Sequence, residues 1–235
     1  MSAPVSAVVP TWQAAGTIGP CLGRLVEGVA EGLVAELVLA DAGSADAIAE
    51  VAEAVGARLV TAPRGRGRQL RAGCAAARGS WLLVVHADTR LPPGWPAAVR
   101  AHIAGHPRAA GYFGLAFDDA SWPGRLVAGW AGLRSALFAL PYGDQGLLVP
   151  RALYERAGGY PDTALMEDVA LARAIVRAEG RCALRRLPGR VVTSAERYRR
   201  DGWLRRGALN LSTLALWSLG RDPERLAERY RRGRR

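Results

Sequence analysis

Carboxylates stand at two places in this chain where a polar side chain is able to do chemistry. Asp88 follows the apolar run 81–85, so its carboxylate is predicted to lie where a buried strand meets solvent. A hard anionic oxygen at such a position suits Mg²⁺ or Mn²⁺ shared with a diphosphate, and a turn cap is the alternative. Glu167 and Asp168 begin an amphipathic stretch. A carboxylate there serves either as a general base on a hydroxyl or as a complement to the helix dipole.

A third carboxylate, Asp41, closes the apolar run 36–40 in the same way. Its oxygens are suited to accept hydrogen bonds from a nucleobase or a ribose. Ser44 and Asp46 follow within five residues, and both are predicted to be N-cap residues of the next helix. Two aspartates at the ends of two apolar runs favour a shared pocket.

Arginine and glycine alternate through residues 64–68. The guanidinium groups of Arg64, Arg66 and Arg68 suit phosphate oxygens, and the glycines permit close backbone approach. A flexible basic turn is the alternative. The segment matches neither the Walker pattern nor GxGxxG. Further along, Asp144 and Gln145 lie between two glycines, which suits either sugar hydroxyls or a plain turn.

The elements that must position these residues alternate between apolar runs and amphipathic stretches. The pattern predicts strands over residues 5–9, 36–40, 57–61 and 81–85, and helices over residues 18–30, 45–55 and 68–78. Such a series predicts an α/β fold with a mostly parallel, Rossmann-like sheet covered by helices on both faces. Ligands bind at the carboxyl ends of such strands. Pro10, Thr11, Asp41, His86 and Asp88 are therefore expected to share one site.

The rest of the chain predicts a smaller second half. Helices are predicted over 95–104, 166–179 and 203–219, strands over 109–117 and 146–150, and an apolar segment over 122–140. We expect one domain over residues 1–235. Its nucleotide-binding half covers about 1–92, its catalytic half about 93–200 and its basic C-terminal helices about 201–235.

The net charge of +11 is concentrated at the C-terminal end, where residues 181–235 hold 16 arginines against 5 acidic residues. The arginine-rich end from Arg229 is predicted to be a solvated or membrane-surface tail, and no specific nucleic-acid partner is expected. No secretory signal or membrane-spanning run is found, so a cytoplasmic protein is expected. Segments 122–140 and 203–219 are either core helices or interfacial helices, which keeps open a peripheral contact at the inner face of the membrane.

Taken in order, these motifs resemble the family 2 glycosyltransferases of GT-A fold, especially the short bacterial members known as selenodomain-associated transferases. The resemblance runs over about residues 5–230. The matching pieces are Val8-Val9-Pro10-Thr11, Asp41-Ala42-Gly43-Ser44-Ala45-Asp46 for the family's DDGSxD, His86-Ala87-Asp88-Thr89 in place of DxD, Gly143-Asp144-Gln145-Gly146, and Met166-Glu167-Asp168.

The resemblance implies a role for each matching residue. It implies that Asp41 contacts the base, that Asp88 holds the divalent cation, and that Asp168 is the catalytic base with Glu167 beside it. Residues 194–198 are similar in spacing to the family's QxxRW, so Arg197 is expected to contact the donor diphosphate or the acceptor.

Two departures from the family pattern bear on the donor site. Ala42 replaces the second Asp of DDGSxD, and His86 replaces the first Asp of DxD. The second change removes negative charge beside the metal, so either the metal affinity is expected to be lower or His86 binds the ribose instead. His86 is also kept as a metal ligand beside Asp88.

The predicted reaction is inverting transfer of a sugar from a UDP- or GDP-sugar to an acceptor hydroxyl. Two other interpretations are kept. One is a sugar-phosphate nucleotidyltransferase, although its expected glycine-rich, lysine-bearing signature is missing after the first strand. The other is a non-enzymatic basic protein that binds nucleic acid or a membrane surface through its C-terminal arginines.

Overall fold

A single sheet of eight strands forms the centre of the computed structural model, which describes residues 3–232. The strands are β1 (Val5–Thr11), β2 (Val34–Asp41), β3 (Arg58–Thr61), β4 (Trp81–Val84), β5 (Thr89–Arg90), β6 (Ala110–Phe117), β7 (Leu147–Pro150) and β8 (Leu184–Thr193). Their order across the sheet is β3-β2-β1-β4-β7-β6-β8-β5. Strands β1 to β4 are parallel, β7 is antiparallel to both β4 and β6, and β8 is parallel to β6.

Ten helices accompany these strands in the described part of the chain. They are α1 (Gly19–Ala30), α2 (Ile48–Ala54), α3 (Arg66–Ala76), α4 (Trp95–Gly105), α5 (Trp122–Phe138), α6 (Arg151–Arg156), α7 (Glu167–Glu179), α8 (Glu196–Asp201), α9 (Trp203–Ser218) and α10 (Pro223–Arg232). The predicted α/β class is confirmed, as are the four strands and three helices predicted for the first 85 residues, with ends that differ by up to three residues. No helix among residues 3–232 is long and apolar enough to cross a bilayer.

Alternation along the strands builds a separate apolar core on each face of the sheet. In β1, Val5, Ala7 and Val9 point into a core with α1, α2 and α4, whereas Val8 points into the core under α3, α6 and α7. Successive β1 residues face opposite sides because the side-chain period of a strand is two. Since both sides are buried, β1 is apolar almost throughout, and the polar residues are left for its carboxyl end.

Strand β8 was missed by the sequence analysis. It begins at Leu184 but carries arginines at three of its first seven positions, with Pro188 and Gly189 in its middle. The pairing with β6 shifts register between Tyr112 and Gly114. This irregularity accommodates the proline and glycine, and it breaks the two-residue periodicity from which a strand is predicted.

In the part of the chain that the structure describes, the tail predicted from Arg229 is the last part of helix α10; Arg229 is exposed there, and contact with a membrane surface stays a prediction. Helix α10 packs against α9, and its Leu226 and Ala227 are buried. The hydroxyl of Tyr230 donates a 2.9 Å hydrogen bond to Asn210 of α9. Residues 233–235 lie outside the described residues. Arg229 therefore lies on a helix that belongs to the folded domain.

Candidate active site

Two adjoining cavities open at the carboxyl ends of β1 and β4. The outer cleft has a volume of about 780 Å³ and the inner cavity a volume of about 110 Å³. Six residues line both cavities and so mark their junction: Arg66, His86, Asp88, Thr193, Ser194 and Arg197. The cavities therefore form one continuous site with an outer and an inner part.

The loop after β1 forms one wall of the outer cleft. Pro10 and Thr11 line it, as predicted, and Trp12 follows with 40% of its surface exposed. The guanidinium of Arg64 lies 4.3 Å from the centre of the Trp12 ring. An exposed aromatic side chain on a cleft wall offers a stacking surface for a flat ring. Trp12 was not predicted as a site residue, although an aromatic directly after a buried strand is a usable signal.

Asp41 does not line the cleft. It is 4% exposed, and its two oxygens accept hydrogen bonds from the hydroxyls of Thr11 and Ser44 and from the backbone N–H groups of Gly43 and Ser44. These bonds outweigh the effect of burial and lower the pKa of the Asp41 carboxyl. In this structure Asp41 holds the turn after β2 beside Thr11, and its expected contact with the base stays a prediction.

The N-cap prediction for Ser44 and Asp46 is wrong. Helix α2 is capped by Ala47, with no side-chain hydrogen bond. The Ser44 hydroxyl instead accepts a 2.8 Å hydrogen bond from the N–H of Gln13, and Asp46 accepts one of 2.8 Å from the N–H of Ala15. Both side chains thus fix the loop that forms the cleft wall.

The three arginines of residues 64–68 have different surroundings. Arg66 forms an ion pair with Glu167 of α7 and lines both cavities. Arg64 lies over the Trp12 ring. Arg68 is paired with Asp162 at 2.6 Å and with Glu224 at 3.1 Å, and it lines neither cavity. Of these three arginines, only Arg66 reaches the junction, where Arg197 also lies.

Asp168 lies in the wall of the inner cavity at the N-terminus of α7. Its Oδ2 accepts a 2.7 Å hydrogen bond from the N–H of Gly143. Met166, the residue before α7, has a left-handed backbone with φ of 63°, a conformation that costs a non-glycine residue on the order of 1 kcal/mol. The strained turn directs the start of α7, and with it Asp168, toward the cavity.

Glu167, beside it, is fully buried. One of its oxygens contacts Arg66, and the other has no hydrogen-bond partner. Burial raises the pKa of Glu167; Arg66 opposes that rise and Asp168 adds to it. The ion pair joins α3 to α7 directly behind the junction of the cavities.

Asp88 and His86 lie at the junction. Asp88 Oδ2 is 3.8 Å from the guanidinium of Arg197, which starts the short helix α8. His86 Nε2 is buried without a partner. Burial, with help from Arg66 and Arg197, places the pKa of His86 well below its ordinary value, so its ring is neutral near pH 7 and retains a free lone pair.

These residues fit a cation that is shared with a ligand. Among residues 3–232 no group of three or more His, Cys, Asp or Glu side chains is placed to hold a metal ion. The carboxylate of Asp88 and the unpartnered nitrogen of His86 supply two protein ligands, and diphosphate oxygens are able to complete the shell.

The structure places Asp144 and Gln145, which were predicted as a pair, in different surroundings. Asp144 lines the inner cavity, and burial raises its pKa to about 6. Gln145 is fully buried, and its amide bonds with Arg134, Ser135 and the backbone of the 3₁₀ turn and β6. Gln145 thus holds the turn and does not reach a sugar, contrary to the expectation.

The inner cavity also contains residues that the sequence analysis did not find. Four of them come from the last three helices: Tyr198, Arg206, Asn210 and Tyr230. Arg206 donates to the Tyr230 hydroxyl, and Asn210 donates to the Tyr198 hydroxyl at 3.0 Å. No local pattern marks them, because only the packing of α8, α9 and α10 brings them together.

Known structures with this arrangement of strands and helices are GT-A proteins. One is glucosyl-3-phosphoglycerate synthase from Mycobacterium tuberculosis, solved with Mn²⁺, uridine diphosphate and phosphoglyceric acid. It has 23% sequence identity and a TM-score of 0.56 over 77% of this chain and 67% of that chain. The same enzyme solved with Mg²⁺ and uridine diphosphate has 20% identity and a TM-score of 0.57 over 80% of this chain and 69% of that one. The likeness shows a shared GT-A fold.

The family follows from the sequence. Residues 6–137 match the family described as glycosyl transferase family 2, and the chain belongs to that family. No curated protein sequence matches it. Family membership supports a glycosyltransferase over the nucleotidyltransferase and the non-enzymatic basic protein. The narrower resemblance to the selenodomain-associated members stays a prediction.

Proposed function

We propose that the protein transfers a sugar from a nucleoside diphosphate sugar, with UDP or GDP as the nucleotide, to an acceptor hydroxyl with inversion at the anomeric carbon. The observation that carries the proposal is the position of Asp168, held by the Gly143 N–H in the wall of the inner cavity, which Asp88 and His86 also line at the junction. The donor lies across the junction, and the acceptor enters the inner cavity.

The outer cleft is proposed as the nucleotide site. Trp12 offers a face for the base, and Pro10 and Thr11 line the floor. Arg66 and Arg197 flank the junction and are positioned to neutralise diphosphate oxygens. The related fold of a synthase solved with uridine diphosphate supports this placement. The nucleotide-binding half proposed for residues 1–92 contributes most of this wall.

A divalent cation, Mg²⁺ or Mn²⁺, is proposed to bind at Asp88, with His86 as a second ligand. Its chemistry when bound is to offset charge on the departing diphosphate. The mycobacterial synthase was solved with either ion. The neutral ring of His86 suits this role, because a cationic ring would repel the metal.

Asp168 is proposed as the general base. Its carboxylate takes the proton of the acceptor hydroxyl as that oxygen forms a bond to the anomeric carbon. The bond from that carbon to the diphosphate oxygen breaks on the opposite face, and the electron pair leaves with the nucleotide. Glu167 does not touch the cavity; it positions α7 through Arg66.

The first experiment is a thermal-shift panel of UDP, GDP and their sugars, each with and without Mn²⁺, because a ligand that binds only the native state raises Tm. Turnover is then measured with the stabilising donor and a panel of hydroxyl acceptors. Asp168→Asn is expected to keep the shift given by the nucleotide and to lower turnover by about 10² to 10⁴. Asp162→Asn is the matched control, since Asp162 is exposed and bonds Arg68 on the surface. Folded Asp168→Asn protein with near-full turnover contradicts the assignment.

We also propose that the reaction takes place in the cytoplasm, with the protein at the inner face of a membrane. Support comes from the large apolar side chains that α5 and α9 expose, of which Trp122 and Leu204 are 68% and 86% accessible.

A further inference from the structure

Helix α5 exposes large apolar side chains along one face. Trp122, Leu126, Trp130, Leu133 and Leu137 recur at the spacing of one helical face, and all five are 45–68% exposed. The opposite face is buried and carries Arg134 and Ser135, which bond Gln145 under the active site. The outer face therefore has no partner in the described fold, and such a patch marks an interaction surface.

Helix α9 has the same arrangement. Leu204, Ala208, Leu211 and Ala215 are exposed on its outer face, and Leu219 follows the last turn with 80% exposure. Its inner face carries Arg206 and Asn210, which line the inner cavity. The inner face of α9 also packs Leu214 and Trp217 against the core, so the helix is apolar on its outer face as well as on its inner face.

The two helices are neighbours, and the segments that contain them share a charge pattern. The helices pack against each other, with the Trp203 ring 3.1 Å from the position of a Cβ on Gly124. We call their exposed apolar residues together the α5–α9 face. No Asp or Glu occurs in residues 120–142 or 202–221. Arg125, Arg205 and Arg221 are exposed within these two segments.

We propose that the α5–α9 face docks on the surface of a lipid bilayer that contains anionic lipids. Tryptophan and leucine enter the boundary between headgroups and acyl chains, while arginines at the rim meet lipid phosphates. A symmetric second copy is the poorer occupant, since an isologous interface places arginine-rich rims against each other without an acidic partner on either helix. The protein lies on the membrane and does not span it, because neither helix is long and apolar enough.

Docking through this face has a geometric consequence for the proposed function. Arg206 and Asn210 lie on the opposite side of α9 from Leu211. The wall of the inner cavity is then about one helix diameter, roughly 10 Å, from the bilayer. The acceptor end of the site is thereby brought to the membrane surface.

The test is flotation of the full chain with vesicles of phosphatidylcholine and phosphatidylglycerol, and with vesicles of phosphatidylcholine alone. We expect flotation with the mixed vesicles at low salt and little with phosphatidylcholine alone. The triple variant Trp130→Ser, Leu133→Ser and Leu211→Ser is expected to lower the partition coefficient by at least about tenfold, since three large apolar groups are lost. Arg125→Gln with Arg221→Gln is expected to weaken binding by about tenfold.

The matched control is the triple variant Val26→Ser, Val29→Ser and Leu59→Ser, which removes apolar side chains of 38–42% exposure elsewhere on the surface. It should float like the unaltered chain. A chain that stays in the bottom fraction with mixed vesicles overturns the proposal, as does equal flotation of both triple variants. Gel filtration is the second measurement. If the unaltered chain is a dimer and the first triple variant is a monomer, the α5–α9 face binds a second copy of the chain, and the proposal is overturned. Flotation requires neither donor nor acceptor. A negative flotation result therefore contradicts membrane docking alone and leaves the transferase proposal to the turnover measurements.

Discussion

The backbone N–H of Gly143 donates a 2.7 Å hydrogen bond to the carboxylate of Asp168, and the same glycine lies against His86. A Cβ at position 143 would stand 2.5 Å from His86 Nε2, a distance at which something must move. One backbone position thus joins the proposed base to the proposed metal ligand.

Gly143→Ala is therefore expected to reduce turnover by about 10² while the chain stays folded, because a displacement near 1 Å at the reacting groups costs that much. The measurement is kcat together with the Tm shift given by UDP and Mn²⁺. Gly23→Ala is the control, since a Cβ there meets nothing within 4 Å, and it should keep full activity. Unchanged kcat in Gly143→Ala would show that neither His86 nor Asp168 depends on this contact.

The fold was more predictable from sequence than the site. Strands β1, β2 and β4 are apolar on both faces, so hydrophobic runs alone located them. The positions of Asp88 and Asp168 followed from motif order. The direction in which a side chain points could not be predicted in this way. Asp41 and Gln145 point into the protein, where backbone groups form hydrogen bonds with their polar atoms.

The residues contributed by the C-terminal helices were beyond sequence reasoning for a different reason. Tyr230 lies in a run of arginines whose charge suggests solvent. It is placed in the cavity by contacts with Arg206 and Asn210, more than 15 residues earlier in the chain. Such placement depends on tertiary packing, for which a single sequence carries no local signal.

The contributions of Arg66 and Glu167 to the free energy of unfolding are expected to depend strongly on each other. Because Glu167 is fully buried, Arg66→Met and Glu167→Gln should each lower the free energy of unfolding by about 2–4 kcal/mol. The double variant should lose clearly less than the sum of the two changes, as a denaturation cycle would measure.

The neighbouring pair of Arg68 and Asp162 joins the same two regions at the surface and is the matched control. Its coupling should stay below about 1 kcal/mol, since exposed pairs are screened by solvent. Equal coupling energies in the two cycles would mean that burial does not strengthen the pair of Arg66 and Glu167. That result would contradict the positioning role proposed for Glu167.

Tyr230→Phe is expected to affect the inner cavity and not the outer cleft. The change removes one hydroxyl that accepts from Arg206 and donates to Asn210. It should cost about 1 kcal/mol of stability, seen as a Tm lower by a few degrees. The affinity for UDP with Mn²⁺ should be unchanged, because Tyr230 lines only the inner cavity. Arg229→Gln, on the exposed side of α10, should change neither quantity. Weaker UDP binding in Tyr230→Phe would contradict the division into two cavities.

Asp144 is expected to make stability depend on pH. Burial raises its pKa from an ordinary 3.8 to about 6 in the folded chain, so the folded state holds a proton that the unfolded state releases. Below 3.8 both states are protonated and Asp144 has no effect; as pH rises to about 6 the folded state loses stability, and above 6 the whole penalty is present. Because Asp144 lines the inner cavity and is partly exposed, we expect its ionisation to lower the free energy of unfolding by about 1–2 kcal/mol.

Asp144→Asn should therefore unfold at higher urea concentration than the unaltered chain above about pH 7 and match it in acid. Asp162→Asn supplies the comparison, since that exposed carboxylate is paired with Arg68 on the surface. Its loss should lower stability slightly at neutral pH, the opposite sign. If Asp144→Asn and the unaltered chain give parallel stability curves from acid to neutral pH, the pKa of Asp144 is the same in the folded and the unfolded chain, and burial in the inner cavity does not raise it.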